Sequence, residues 1–211
     1  MTALRPLPRL HAITDGGVVS LADFGVRAAA IAAAGSAVAL HARHPDATAA
    51  DLAALAARLV ALARPAEANV IVSRRADVAA AVHAQGVQLR PDDLAPGDAR
   101  RVLPVGWIGR SVHTAAEAIA AQEEGADYVV VGPIFPTPSH PGARGRGVEL
   151  VREASAAGIP VIAIGGIDPE RALEVAAAGA WGVAVLSALW SASDPAQAAL
   201  AFLAAWTDAR E

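Results

Sequence analysis

The 211-residue chain has no cysteine, which excludes disulfides, thiolate metal sites and a thiol nucleophile. It has no lysine either, so all 17 basic residues are arginines and Schiff-base chemistry is excluded. Aromatics make up 4%, no basic tract occurs and the formal charge is -4, so nucleic acid is not expected as a partner. Long apolar runs are missing too. Ala28 to Leu40 is interrupted by Gly35 and Ser36 and falls short of the roughly 18 residues a membrane span requires. The first ten residues lack the apolar stretch of a signal peptide. These absences set the expectation of a soluble, cytoplasmic protein without a membrane partner. What the chain has is hydrophobicity, 55% of its residues. At this length that suits one domain burying about 70% of its extended surface without covalent staples.

Short β-branched runs alternate with alanine-rich stretches along the whole chain. The runs are 11–14, 38–42, 70–73, 87–90, 108–113, 128–135, 161–164 and 183–186. Most are continuously apolar, as strands of a parallel sheet covered on both faces must be. The stretches 21–34, 49–63, 77–84, 96–102, 115–124, 148–157, 169–178 and 195–209 read as helices. Ser20, Thr48, Thr114, Asp168 and Asp194 stand at N-cap positions, with Thr114 to Glu117 in capping-box form. Gly35, Gly86, Gly125, Gly158 and Gly179 stand where helices end and the next strand begins. Eight βα units without a linker predict a single-domain α/β fold, the (β/α)8 TIM barrel, over 1–211. The alternative is an open doubly wound sheet, but no Gly-x-Gly-x-x-Gly follows the first run.

A barrel of this kind works at the C-terminal ends of its strands. The residues there are rich in Arg, His and Ser and suit an anionic ligand. Gly165-Gly166 opens onto a helix start, and with Leu186 and Ser187 it has the form of a phosphate site after strands 7 and 8. The alternative is a glycine turn serving geometry alone. The proline- and glycine-rich stretch 136–146 reads as a lid over the mouth or as a disordered loop.

The segment from Gly125 through Gly132-Pro-Ile-Phe-Pro-Thr137-Pro-Ser139-His140, followed by Val161-Ile-Ala-Ile-Gly-Gly-Ile167, resembles the thiamin phosphate synthase and TenI-like family of barrels. His11 to Asp15, Leu40 to Arg43, Arg75 to Val78 and Ser111 to His113 fall in order before it. The resemblance implies one of two reactions: coupling a hydroxymethylpyrimidine diphosphate to a thiazole phosphate, or isomerising a carboxythiazole phosphate. It also implies small phosphorylated thiazole or pyrimidine ligands, and leaves homo-oligomerisation open.

Carried over residue by residue, the resemblance assigns ligand binding to Arg43, Ser111, Thr137 and Ser139; Ser73 and Arg74 join the candidate ligand-binding set where the chain departs from the family, and Gly165, Gly166, Leu186 and Ser187 join it as the barrel phosphate site. Against the coupling pattern Gln-x-Arg-x-Lys, strand 2 keeps only Arg43. Ser73-Arg74 replaces an Asn-Asp pair whose aspartate binds Mg²⁺, and Asp93 matches the second metal-ligand position. Asp93 alone is a poor metal site, so weak or no Mg²⁺ binding is expected. Arg43, Arg74 and Arg75 could partly replace the ion, or Arg74 could pair with Asp93 as a structural bridge. Leu40-His41-Ala-Arg43 and Ser111-Val-His113 match the TenI-like branch, making isomerisation the first expectation, coupling the alternative and a non-catalytic binding barrel the third. That branch has a proton-carrying histidine where Pro133 stands here, leaving His140, His41 or His113 to serve, with His140 preferred on its loop.

Overall fold

The computed structural model describes residues 6–137 and 145–208. Eight strands close into a parallel barrel in sequential order: β1 Leu10–Ile13, β2 Val38–Ala42, β3 Asn69–Ser73, β4 Gly86–Leu89, β5 Trp107–Val112, β6 Tyr128–Val131, β7 Val161–Ile164 and β8 Gly182–Val185. The helices are α1 Gly16–Val19, α2 Phe24–Ala32, α3 Ala49–Ala63, α4 Ala76–Ala81, α5 Pro96–Val102, α6 Ala115–Glu123, α7 Glu149–Ser155, α8 Pro169–Ala177, α9 Ser187–Trp190 and α10 Pro195–Asp208. This is the expected (β/α)8 barrel.

Alternation along each strand explains why the runs read as continuously apolar. Outward residues such as Leu40, Val70, Val72, Leu89, Ile108, Val129 and Val183 join the core between strands and helices. Inward residues Ile13, Ala39, Ile71, Trp107, Tyr128, Val130, Ile162 and Ala184 form a second cluster inside the barrel. The inner face also carries buried His11, His41, Asn69, Ser73 and Gln88. Asn69 donates from Nδ2 to the Ser36 and Val38 carbonyls.

Thr48, Thr114 and Asp168 cap α3, α6 and α8, accepting from the backbone N–H three residues on. Asp194 accepts in the same way from the Gln197 N–H. Ser20 is different. It ends α1, its N–H and hydroxyl both donating to the Gly16 carbonyl, while Asp15 caps that helix by accepting from the Val18 N–H. The sequence pattern did not mark α1 because its four residues are too few for a period. Gly86 stands where the strand after α4 begins, as the first residue of β4. An added Cβ there would come within 2.6 Å of the Trp107 carbonyl. The apolar run at 128–135 outlasts its strand: past β6, Ile134 and Phe135 donate their N–H groups to the carbonyls of Ile164, the last residue of β7, and of Gly165 just after it.

Candidate functional site

The mouth lies at the C-terminal ends of the strands, and its two sides are built differently. On the β7–β8 side the backbone dominates. Gly165 and Gly166 have φ of 106° and 62°, a region open to glycine at no steric cost. A Cβ at Gly165 would sit 2.8 Å from Pro133, and one at Gly166 would sit 2.4 Å from the Pro136 carbonyl. The glycine pair therefore lets the loop after β6 lie flat on the loop after β7. Asp168 then accepts from the Arg171 N–H at 2.8 Å, while the Arg171 guanidinium donates to the Gly166 carbonyl at 2.6 Å. Leu186 and Ser187 open the short helix α9 at the end of β8. Such a helix after the last strand is a recurrent barrel device for phosphate.

On the β2–β4 side, charged side chains dominate. Thr14 is fully buried at the end of β1, its hydroxyl lying 2.8 Å from both the His41 and Arg43 carbonyls, which share its single proton, and accepting from the Arg43 N–H at 3.0 Å. That clamp fixes the backbone under Arg43. The half-buried Arg43 guanidinium has its pKa lowered by desolvation, opposed by Asp15 and reinforced by the like charge of Arg90. Arg74 donates from Nε to Asp93 Oδ1 at 2.8 Å, and this hydrogen bond raises its pKa. The Asp93 carboxylate is 7% exposed, and its Oδ2 accepts from the Arg90 N–H at 2.8 Å. Arg75 pairs with Asp77 at the surface.

Ser73 ends β3 with 9% exposure, facing the barrel. Ser111 accepts from Gln88 Nε2 at 3.1 Å, so Gln88 orients the serine hydroxyl. Gln88 Oε1 and the Tyr128 hydroxyl are buried and lack a hydrogen-bond partner. Both crowd the space above Gly109, where a Cβ would come within 2.5 Å of each. A hollow of about 460 Å³ adjoins the end of β5, lined by Ser111 and His113 among others.

The three histidines separate clearly. His41 is 1% exposed and sits inside the barrel, its Nε2 2.8 Å from His11 Nδ1. His11 Nε2 faces the Pro8 carbonyl at 3.1 Å, so it carries the proton, and His41 must donate to His11 Nδ1. Burial lowers the His11 pKa to about 4 and puts that of His41 well below the ordinary value, with the His11 and Arg43 charges adding to the His41 shift. His113 is exposed, and its Nδ1 donates to the Gly132 carbonyl at 2.8 Å, leaving Nε2 as the free lone pair of the neutral ring. His140 and Ser139 lie outside the described residues, as does most of the expected lid. Thr137 is half-buried where the described part of that loop ends.

Sequence reading missed His11, Gln88 and Tyr128. Their signal was the period of two: His11 alternates with Ile13, and Gln88 precedes Arg90 by two positions on one face.

Both Asp93 oxygens are engaged by nitrogen donors, and among the described residues no group of three His, Asp or Glu side chains could hold an ion. The described residues do not fit Mg²⁺. Also among them, no helix is long and apolar enough to cross a membrane.

Comparison with known proteins agrees with the fold and the order of these segments. The family model for thiamine monophosphate synthase matches residues 10–189. A thiamine-phosphate synthase from Chloroflexus aurantiacus is 39% identical over 196 residues, covering 90% of this chain and 89% of that protein. One from Pyrococcus abyssi is 40% identical over 161 residues, covering 76% and 78%. A bifunctional ThiM/ThiE protein of Symbiobacterium thermophilum is 49% identical over 151 residues, and the chain spans 32% of that longer relative. A thiamine phosphate pyrophosphorylase structure from Pyrococcus furiosus superposes with a TM-score of 0.81 at 33% identity, covering 96% of this chain and 97% of the other. With a closed eight-stranded barrel and a family match that runs from β1 into α9, the chain belongs to the thiamine monophosphate synthase family of barrel enzymes.

Proposed function

We propose that this barrel couples a hydroxymethylpyrimidine diphosphate to a thiazole phosphate and releases diphosphate. The observation that carries this reading is the set of relatives named thiamine-phosphate synthases, matched over 78% to 89% of their own length. The branch motifs on β2 and β5 favoured isomerisation, and the relatives displace that order. The reaction joins the thiazole nitrogen to the pyrimidine methylene carbon. The carbon–oxygen bond to diphosphate breaks, and the electron pair leaves on the diphosphate oxygen.

The residues divide that work by position. Gly165, Gly166, Leu186 and Ser187 suit the phosphate of the thiazole, because backbone N–H groups can approach an anion closely where side chains are small. Arg43 and Ser111 face the opposite half of the mouth, where diphosphate charge develops, with Thr14 and Gln88 holding them. Ser73, Thr137 and Ser139 complete the ligand-binding set on the same face. In this assignment no side chain need carry a proton.

Isomerisation of a carboxythiazole phosphate remains as a second reading because of His113. Its exposed Nε2, oriented by the Nδ1 contact to Gly132, is better presented than His41, which burial and the His11 bond remove from the mouth. The test is to incubate the protein with each substrate set. Thiamin phosphate from the two phosphorylated precursors is the expected result. Carboxythiazole consumption abolished by His113→Ala, without coupling, would replace this reading. Ligand binding without turnover would leave a non-catalytic barrel.

A further inference from the structure

Asp93 is nearly buried at the start of the loop after β4, yet its partners are guanidinium and amide groups. Each Asp93 oxygen already accepts one nitrogen donor, Arg74 Nε at Oδ1 and the Arg90 N–H at Oδ2, both at 2.8 Å, so a divalent ion would have to share this carboxylate with the positive charge of Arg74 beside it. Arg74 is not a mobile surface arginine that happens to lie there. Its φ is 70°, a left-handed conformation that non-glycine residues adopt at a cost. The backbone is pinned in it: the Arg74 N–H donates to the Gln88 carbonyl at 2.8 Å, and the Arg75 N–H donates to the Ser73 carbonyl at 2.9 Å. That turn throws the side chain across from β3 to the β4 loop, at the edge of the mouth. The guanidinium meets Asp93 through Nε and remains 46% exposed, so its outer nitrogens stay available to an anion from solvent.

Arg43 and Arg90 stand in the same quarter of the mouth, close enough that the Arg90 charge bears on Arg43. Three carboxylates, Asp15, Asp92 and Asp93, are set among these three guanidinium groups; Asp15 and Asp93 each already serve a backbone N–H, and Asp92 accepts from Arg90 at 2.9 Å. The formal charges are therefore matched three to three, and what the cluster offers an anion is the exposed outer guanidinium edge of Arg74 rather than a net positive charge. Planar guanidinium groups bind phosphate oxygens through paired N–H donors and keep their charge at any working pH.

We propose that Arg74, held by Asp93, takes the position a divalent cation would occupy, so that this protein binds the diphosphate group of its substrate without metal. The inference rests on the coupling reading for its substrate class. Its chemical content is narrower: a diphosphate is recognised by Arg74 and its neighbours, and Asp93 positions the arginine rather than ligating an ion.

The test is calorimetric titration with inorganic diphosphate, in chelator and in excess Mg²⁺, on wild-type protein and on Arg74→Ala. Arg74→Gly is the second variant, since glycine accepts φ of 70° without strain. The expected wild-type affinity is the same in both buffers within about twofold. Loss of a charge-assisted bidentate contact should weaken both variants about tenfold or more in chelator. Mg²⁺ should restore part of that loss, because Asp93 Oδ1 is then free. Manganese paramagnetic resonance in the presence of inorganic diphosphate gives a second readout: no protein-held Mn²⁺–diphosphate in wild type, and such a signal in Arg74→Gly, where Asp93 and the diphosphate oxygens together can hold the ion. Wild-type binding that requires Mg²⁺, no diphosphate binding at all, or unchanged affinity in both variants would overturn the proposal. Metal-free diphosphate binding without product from the two precursors would instead remove the coupling reading and leave the arginine site standing.

Discussion

The two halves of the barrel mouth face the same ligand space but are made of different material. The β7–β8 half is backbone, with a glycine pair whose missing side chains let the β6 loop pack against it. The β2–β4 half is side chain, a set of arginines and aspartates held by a buried threonine and by strand carbonyls. The difference bears on what each half can change. A backbone cradle is tied to the packing of two loops and cannot be altered without unseating them. A side-chain half can exchange one charged group for another while the barrel beneath it stays the same.

The first prediction breaks the backbone half. Gly166→Ala places a Cβ 2.4 Å from the Pro136 carbonyl at a φ of 62°. It should cost on the order of 3 kcal/mol and abolish thiazole phosphate binding. Denaturant unfolding and calorimetry measure the two effects. Near-wild-type stability would mean that the two loops do not pack as described.

The second prediction probes the floor beneath the side-chain half. His11 is buried and neutral, with a pKa lowered to about 4. The unfolded chain takes up a proton as pH falls through about 6.5, while the folded protein does so only near 4. Its contribution is thus fully present above about pH 6.5 and is lost on going down to about pH 4. The loss is on the order of 3 kcal/mol from His11 alone. His41, lowered in the same direction, adds to it. His11→Asn should flatten the acid limb of the stability curve, and an unchanged limb would place the effect elsewhere.

The third separates a positioning aspartate from a metal ligand. Asp93→Asn keeps an acceptor for the Arg90 N–H but loses the charge opposite Arg74. It should cost about 1–2 kcal/mol in thermal unfolding. Diphosphate affinity in chelator should stay within a few-fold of wild type. The smallest effect belongs to Arg75→Ala, which removes an exposed pair with Asp77 and should change stability by less than about 0.5 kcal/mol.

The barrel was legible because the strand runs are nearly continuously apolar and several of the longer helices begin on a side-chain cap. Thr48, Thr114, Asp168 and Asp194 announced their helices through local chemistry. Short elements were not legible: α1 and α9 have four residues each, below any period. In the site, the glycine pair, Arg43 and Ser111 follow from strand ends alone. The fate of His41 does not, since its partner His11 is thirty residues earlier and meets it only when β1 and β2 pair. The orientation of Ser111 likewise depends on Gln88 from the neighbouring strand. One alternative raised by the sequence, an Arg74–Asp93 bridge, is what the structure contains.

The most direct measurement is thiamin phosphate formation from the two phosphorylated precursors, followed side by side in chelator and in Mg²⁺. The account predicts product in both, at rates within a few-fold of each other. Carboxythiazole turnover with no thiamin phosphate in either buffer would contradict it, as would coupling that occurs only with the metal.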